Sequence, residues 1–283
     1  MSIVEKKKAR TMIPKILIGA VFLAGMVLAG CSKSPEVDEL GFTDKPAETL
    51  YNEGLALVNS GRMEAAAKKF KEIDQVYPYS EFARRGMIMS AFTNYRSGQF
   101  PEAVNSAKRY ITLYPGSEDA AYAQYLVGQS YYRQVLDVTR DQEMTEKALT
   151  AMAELIQRYP DSEYADDAAN KIRITQDQLA GKEMQVGRYY LNKRRYVAAI
   201  NRFKAVVSVY QTTRHTEEAL ARLTESYLSL GVVDEAQTAA AVLGHNFPES
   251  KWYKDAYNLL ESGGFEPKEN KKSWISRQFS KVL

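Results

Sequence analysis

The 283-residue sequence predicts an all-α fold, a right-handed superhelical solenoid of five helix pairs closed by a C-terminal capping helix. Three regularities carry that prediction. Five segments end in an aromatic residue and a turn: Tyr77-Pro78-Tyr79-Ser80, Tyr114-Pro115-Gly116-Ser117, Tyr159-Pro160-Asp161-Ser162, Tyr210-Gln211-Thr212-Thr213 and Phe247-Pro248-Glu249-Ser250. Twelve positions before each proline, or before Gln211, stands an alanine: Ala66, Ala103, Ala148, Ala199 and Ala236. Five positions before it stand Ile73, Tyr110, Leu155, Val206 and Leu243. A small residue and a large apolar one seven positions later share a helix face and admit a close neighbour. The proline or polar turn then ends that helix.

The chain opens on a different kind of segment. Residues 1–30 carry Lys6, Lys7, Lys8, Arg10 and Lys15 against Glu5, a net of +4, before an apolar run of 13 residues from Ile16 to Leu28. That run is short for a membrane span and fits the core of an export signal. It closes on Leu28-Ala29-Gly30-Cys31, which looks like a bacterial lipobox, with the chain's only cysteine where acylation needs a thiol. The alternative is an ordinary secretory signal with an incidental cysteine. Residues 1–30 therefore read as a lipoprotein signal peptide and 31–45 as a lipidated linker. Each buried methylene of an acyl chain contributes roughly 0.8 kcal/mol, so several chains on Cys31 would hold the protein on a bilayer. Ser32 follows, and not the aspartate that in such lipoproteins signals inner-membrane retention, so the periplasmic face of the outer membrane is the expected address.

In each repeat a first helix precedes the alanine-bearing one. Gly54, Ala91, Gly128, Gly187 and Thr224 occupy its close-approach position, and Leu57, Asn94, Tyr131, Tyr190 and Tyr227 follow three residues later. Gly61, Gly98 and Gly231 lie five before the alanine, where the chain must turn. Small, aromatic, alanine, apolar, proline in this order is the tetratricopeptide pattern. Repeats 1–3 span 46–162, and repeats 4–5 with the capping helix span 163–263.

Successive turns are 37, 45, 51 and 37 residues apart, against the usual repeat of about 34. The excess in repeat 3 falls near Leu136–Met144, between its two helices. The larger excess in repeat 4 precedes Gly187, and its fourteen residues correspond to about 21 Å of helix. An in-phase extension of the first helix, from about Glu163 to Asn192, keeps its buried face. A kink or break near Gly181 is the alternative.

First helices line the concave wall of such a solenoid. In repeats 1–3 the groove-facing positions read Tyr51, Leu55, Arg85, Ile88, Phe92, Tyr95, Arg96, Tyr122, Tyr125, Gln129, Tyr132 and Arg133, an aromatic wall with arginines and almost no carboxylates. Tyrosine buries area while keeping a polar tip, and arginine clamps a carboxylate bidentately. An extended peptide with a free C-terminal carboxylate or aromatic side chains suits this wall. Equally, half of these aromatics could pack between repeats.

In repeat 4 the run Arg188-Tyr189-Tyr190-Leu191-Asn192-Lys193-Arg194-Arg195-Tyr196, with Asn201 and Arg202 beyond it, reads as a protein-docking surface or as a solvated helix face. Arg188, Tyr189, Asn192, Arg194 and Arg202 are its candidate contacts. A sequence pI near 8.7 would invite a nucleic-acid reading. The charge is terminal, however: the tail 265–283 adds +3 to the +4 of residues 1–30, which leaves the repeats near −4. No nucleic-acid partner is expected.

No GxSxG, Walker loop, HExxH or CxxC occurs, so no enzyme, cofactor or metal site is expected. His215 and His245 read as surface or capping residues, and Asp166-Asp167 and Glu217-Glu218 as first-turn charges favoured by the helix dipole. Past the capping helix, 264–283 reads as a separate basic tail: a polar linker over Glu266–Ser273, then Trp274, Ile275, Phe279, Val282 and Leu283 on one side of a short helix. That helix fits a membrane-surface element, a partner-binding element or a frayed end.

The lipobox, the five tetratricopeptide units, the Tyr-Pro-x-Ser turn and the stretch Gly187-Arg188-Tyr189-Tyr190 leading to Val197-Ala198-Ala199-Ile200-Asn201-Arg202 together resemble the BamD, or competence lipoprotein, family from Cys31 to about Tyr257. The resemblance implies a non-catalytic periplasmic scaffold of the β-barrel assembly (BAM) machinery, carrying N-acyl and S-diacylglycerol groups on Cys31. Its implied partners are the POTRA domains of BamA, other BAM lipoproteins and unfolded outer-membrane proteins, with substrate targeting in the N-terminal repeats and partner contacts in the C-terminal ones. The runner-up is an envelope scaffold of the same repeat serving pilus or Tol–Pal and peptidoglycan assembly. The tail after Gly264 has no counterpart in that pattern.

Overall fold

A computed structural model describes residues 45–280. The signal segment, the lipobox with Cys31 and the final Lys281-Val282-Leu283 lie outside the described residues. Twelve helices follow in order among them: α1 Ala47–Asn59, α2 Met63–Val76, α3 Glu81–Arg96, α4 Phe100–Leu113, α5 Ala120–Tyr132, α6 Glu143–Arg158, α7 Ala165–Asn192, α8 Tyr196–Val209, α9 Thr216–Ser229, α10 Val233–Asn246, α11 Lys251–Ser262 and α12 Trp274–Phe279. Helices α1 to α10 form five antiparallel-type pairs, each packed on the next, so the described chain is the solenoid that the spacing predicts. The described residues fall within one compact unit.

The five alanines and the five apolar residues seven positions after them are all fully buried. First helices also touch one another, α1 on α3, α3 on α5 and α9 on α11, whereas no pair of second helices makes comparable contact. A stack whose first helices converge carries them on its inner wall.

Packing inside each pair follows a size exchange. A Cβ on Gly54 would stand 2.6 Å from the Phe70 ring, and one on Gly128 would stand 2.7 Å from Met152. Gly187 meets Phe203 in the same way. Where the first helix instead carries Ala91 or Thr224, the facing residue shrinks to Ala107 or Ala240, and all four are fully buried. Helix separation is thus kept while the volume moves from one partner to the other, as close packing requires.

Gly61, Gly98 and Gly231 take φ of 74°, 80° and 76° in the turn between paired helices, and in repeat 4 that place is held by Arg194 at φ 55°. A side chain in this left-handed region is strained relative to glycine.

Helix α7 runs unbroken for 28 residues through Gly181, so the extension is continuous helix. The linker 133–142 rests on it: Gln178 Nε2 donates to Leu136 O at 2.8 Å and Lys182 Nζ to Thr139 O at 3.0 Å. The two insertions of the sequence therefore pack on each other.

The reading of 264–283 as a separate tail is corrected. Glu266–Ser273 is not a free linker, because Gln237 Nε2 donates to Glu266 O at 2.7 Å and Asn270 N donates to Thr238 Oγ1 at 3.1 Å. Ser273 Oγ donates to Glu235 Oε2 at 2.7 Å. Nor is α12 frayed, and its apolar side is not open to a membrane or partner. Ile275 and Phe279 are buried, Trp274 Nε1 donates to Tyr227 OH at 3.1 Å, and Gln278 Nε2 donates to Ser208 O at 3.0 Å. The segment is a strap laid across α10 and α8. Its apolar side chains close the core that the last repeat would otherwise leave open.

Candidate functional site

The inner wall of repeats 1–3 gathers the predicted groove residues, though several of them also build the repeat. Tyr51 packs between Phe70 and Phe82, with ring centroids 5.5 and 5.7 Å away, and Leu55 joins the same cluster. Phe92, Tyr95 and Tyr122 are half-buried against the core of repeats 2 and 3, in which Ile88 is buried. Arg85 and Arg96 reach outward from this wall, held 6.0 Å from the Phe82 ring and 5.8 Å from the Phe92 ring. Arg85, Arg96 and Arg133 are exposed and make no ion pair among the described residues. Cations resting on aromatic faces stay close to full strength for an incoming anion.

The far end of the wall is a polar knot that the sequence pattern did not disclose. Tyr164, just before α7, stacks on Tyr125 at 4.8 Å and tilts against Tyr122 at 5.4 Å. Tyr125 OH donates to Asp167 Oδ2 at 2.5 Å, and the same carboxylate takes Lys171 and the buried Gln129. Lys171 also lies 5.4 Å from the Tyr132 ring. Burial raises the Tyr122 hydroxyl to about 12, with Tyr95 adding and Arg96 opposing, and raises Tyr164 to about 12 as well. Burial pulls the Asp167 carboxyl upward, but Lys171 and Tyr125 outweigh it and hold the pKa below its usual value. A carboxylate therefore does stand at one end of this wall, satisfied by its own neighbours. Tyr164 and Lys171 were not singled out in the sequence, and Asp167 was read only as a first-turn charge; the spacing of Asp167 and Lys171 was the available signal.

The inner wall of repeats 4–5 is electrostatically closed. Arg188 grips Glu218 bidentately, at 2.8 and 3.0 Å, and Arg222 lies 3.6 Å from Glu218 and 2.8 Å from Glu225. The same Arg222 guanidinium stands 5.2 Å from the Trp252 ring of α11, and Lys251 lies 4.8 Å from that ring. Arg202 pairs with Glu183 at 3.2 Å on the other side of α7. Two of the five docking candidates, Arg188 and Arg202, are thus partnered within the chain.

The other three cluster where α7 turns into α8. Asn192 and Arg194 are exposed, and Tyr189 is 59% exposed. Arg194, Arg195, Val197, Asn201 and Leu230 line an open cleft between the turns of repeats 4 and 5. Val197 and Leu230 expose 63% and 42% of their surface there, and Val232, two residues past Leu230, is 41% exposed, so apolar surface is rimmed by cations. His215 lies elsewhere, at the start of α9 against Gly181 and 3.8 Å from Asp177; burial lowers its pKa.

A family model described as YfiO, outer membrane lipoprotein, matches residues 43–243. The outer membrane protein assembly factor BamD of Caulobacter vibrioides is 46% identical over 254 residues, covering 90% of this chain and 83% of that protein. BamD of Rickettsia prowazekii is 41% identical over 246 residues, covering 87% of this chain and 97% of that one. BamD of Neisseria meningitidis (strain Z2491) is 33% identical over 82% of this chain and 92% of its own. The match runs through all five helix pairs, and the chain belongs to the YfiO family of outer membrane lipoproteins, that of the outer membrane protein assembly factor BamD.

Proposed function

We propose that the chain is a non-catalytic scaffold lipoprotein of the BAM complex, carried on the periplasmic face of the outer membrane by acyl groups on Cys31. Repeats 1–3 receive extended segments of unfolded outer-membrane proteins. The edge between repeats 4 and 5 docks on the POTRA domains of BamA, and other BAM lipoproteins complete the assembly. The observation that carries this reading is the division of charge between the two inner walls. Arg85, Arg96 and Arg133 stand unpaired, the first two beside aromatic rings, so a peptide carboxylate gains a partner there without displacing one. Arg188 and Arg222 are engaged with Glu218 and Glu225, and the apolar surface of Val197, Leu230 and Val232 lies outside that wall.

Pull-down of the repeat unit with purified POTRA domains tests the docking half. Capture at micromolar concentration, weakened about tenfold by Val197→Asp with Leu230→Asp, is the expected result. No capture by the wild-type unit overturns it.

A further inference from the structure

The strap that follows the last repeat carries a charged surface that neither the core nor the docking edge uses. Between residues 268 and 277 it bears Lys268, Lys271, Lys272 and Arg277, all exposed and none in an ion pair among the described residues. The family match ends at residue 243, so these cations lie beyond the part of the chain shared with the family model. Their position is fixed. Asn270 Oδ1 accepts from Lys272 N at 3.0 Å and Asn270 O from Ser273 N at 2.9 Å, a tight turn that carries Lys271 and Lys272. The turn is tied to α10 through Thr238 and Glu235. On its far side, Arg277 sits on α12, held to α8 through Gln278 and Ser208. Lys204 of α8 stands 4.8 Å from the Trp274 ring.

We propose that this strap is an electrostatic membrane contact, a rigid cationic ridge that binds an anionic phospholipid surface. Protein-docking sites center on exposed aromatic or apolar anchors, and the strap offers none. Ile275 and Phe279 are buried in the core, and Trp274 is hydrogen-bonded to Tyr227 and covered by Lys204. The exposed groups of the strap are polar, its ammonium and guanidinium groups beside Glu266, Glu269, Asn270 and Ser280. Such a surface suits a dense array of phosphates better than a folded partner, and a cluster of four or more basic residues is what an anionic leaflet attracts. The buried apolar groups also mean that the ridge rests on headgroups without inserting. In a protein already held near a bilayer, even a weak second contact acts at high effective concentration and fixes which side of the solenoid faces the lipid.

The test uses the compact unit Asp44–Leu283, which carries neither the lipid anchor nor the basic signal segment. It is co-sedimented with vesicles of neutral phosphatidylcholine and with vesicles containing phosphatidylglycerol. Binding to the anionic vesicles alone, falling steeply as salt is raised, is expected. Each neutralised cation should weaken it about fivefold, so Lys268→Gln with Lys271→Gln and Lys272→Gln should cost on the order of a hundredfold. The thermal midpoint should not move, since none of the three side chains packs. Inorganic phosphate at a concentration matching the lipid phosphate should not compete, because one ion cannot span the ridge. Equal binding to neutral vesicles, equal binding of the triple variant, full competition by phosphate, or no binding at low salt each overturns the proposal. None of these outcomes bears on the docking of POTRA domains at Val197 and Leu230.

Discussion

In repeats 1–3 the buried side chains fall into separate clusters, around Phe70, around Tyr110 and around Met152, whereas from Ala180 to Phe279 they form a single one. The polar groups divide the same way. The first half leaves Arg85, Arg96 and Arg133 unpaired on its inner wall, while the second half links Arg188, Glu218, Arg222 and Glu225 and covers its end with α11 and the strap. A solenoid's stability is close to a sum over repeats and their interfaces. Splitting the core lets one repeat yield without the others, and joining it makes the second half cooperative. One sequence pattern thus produces a half whose inner wall keeps free charge and a half whose inner wall has spent it, and the proposed function assigns unstructured substrate to the first.

The largest test of this contrast is a matched pair of core truncations. Phe203→Ala should cost about 3–5 kcal/mol and unfold α7 to α12 together. Phe70→Ala should remove a similar free energy locally, opening repeat 1 while repeats 4 and 5 stay protected. Hydrogen exchange resolved by segment reads the difference; a global loss of protection in both variants would erase the contrast. Next in size is the strap. Ile275→Ala should cost about 2–4 kcal/mol by opening a cavity in the joined core, and it should lower protection in α8 and α10. An unchanged denaturation midpoint would mean that the strap lies on the second half without supporting it.

Arg194→Gly should move the other way, raising stability by roughly 1 kcal/mol, because the left-handed turn no longer opposes a side chain. If the same variant weakens capture by POTRA domains, the strain is kept for docking; if stability falls, the turn account is wrong. The smallest effect is acid sensitivity of the first half. The Asp167 carboxyl titrates below its usual 3.8 in the folded chain, so its pairing with Lys171 and Tyr125 stabilises above that pH and is lost as pH falls through the lowered value. Asp167→Asn should flatten this acid limb for repeats 3 and 4 and leave the neutral baseline of α9 and α10 alone.

How much of this was legible in the sequence depends on whether a residue repeats. Ala66, Ala103, Ala148, Ala199 and Ala236 were found because helix pairs impose one geometry five times, and all five are buried. The exchange of Gly54 with Phe70 against Ala91 with Ala107 was in the same periodic positions, one turn past each alanine, and could be read once the pairing was known. The strap left no such trace. Six residues of α12 have no sister element to be compared with, and its anchors are side chains such as Gln237 and Thr238 whose partners lie about 30 residues away. Arg188 and Arg202 looked free because basic runs show their own charge and not the Glu218 or Glu183 that meets it. Asp167 was hidden for the opposite reason: a first-turn carboxylate fits the helix dipole locally, and only the stacked tertiary arrangement brings Tyr125 and Gln129 to it.

On the proposed function, the unpaired charge on the inner wall of the first half, and not the paired charge on that of the second, binds substrate. This is tested most directly by titrating a peptide of a barrel's C-terminal strand, ending in an aromatic residue with a free carboxylate, into three forms of the chain. Tyr95→Ala with Arg96→Ala should weaken binding at least tenfold, about 1.4 kcal/mol, whereas Arg188→Ala should leave the affinity within twofold of wild type. The reverse pattern, with Arg188→Ala abolishing binding and the double variant unaffected, would contradict the account.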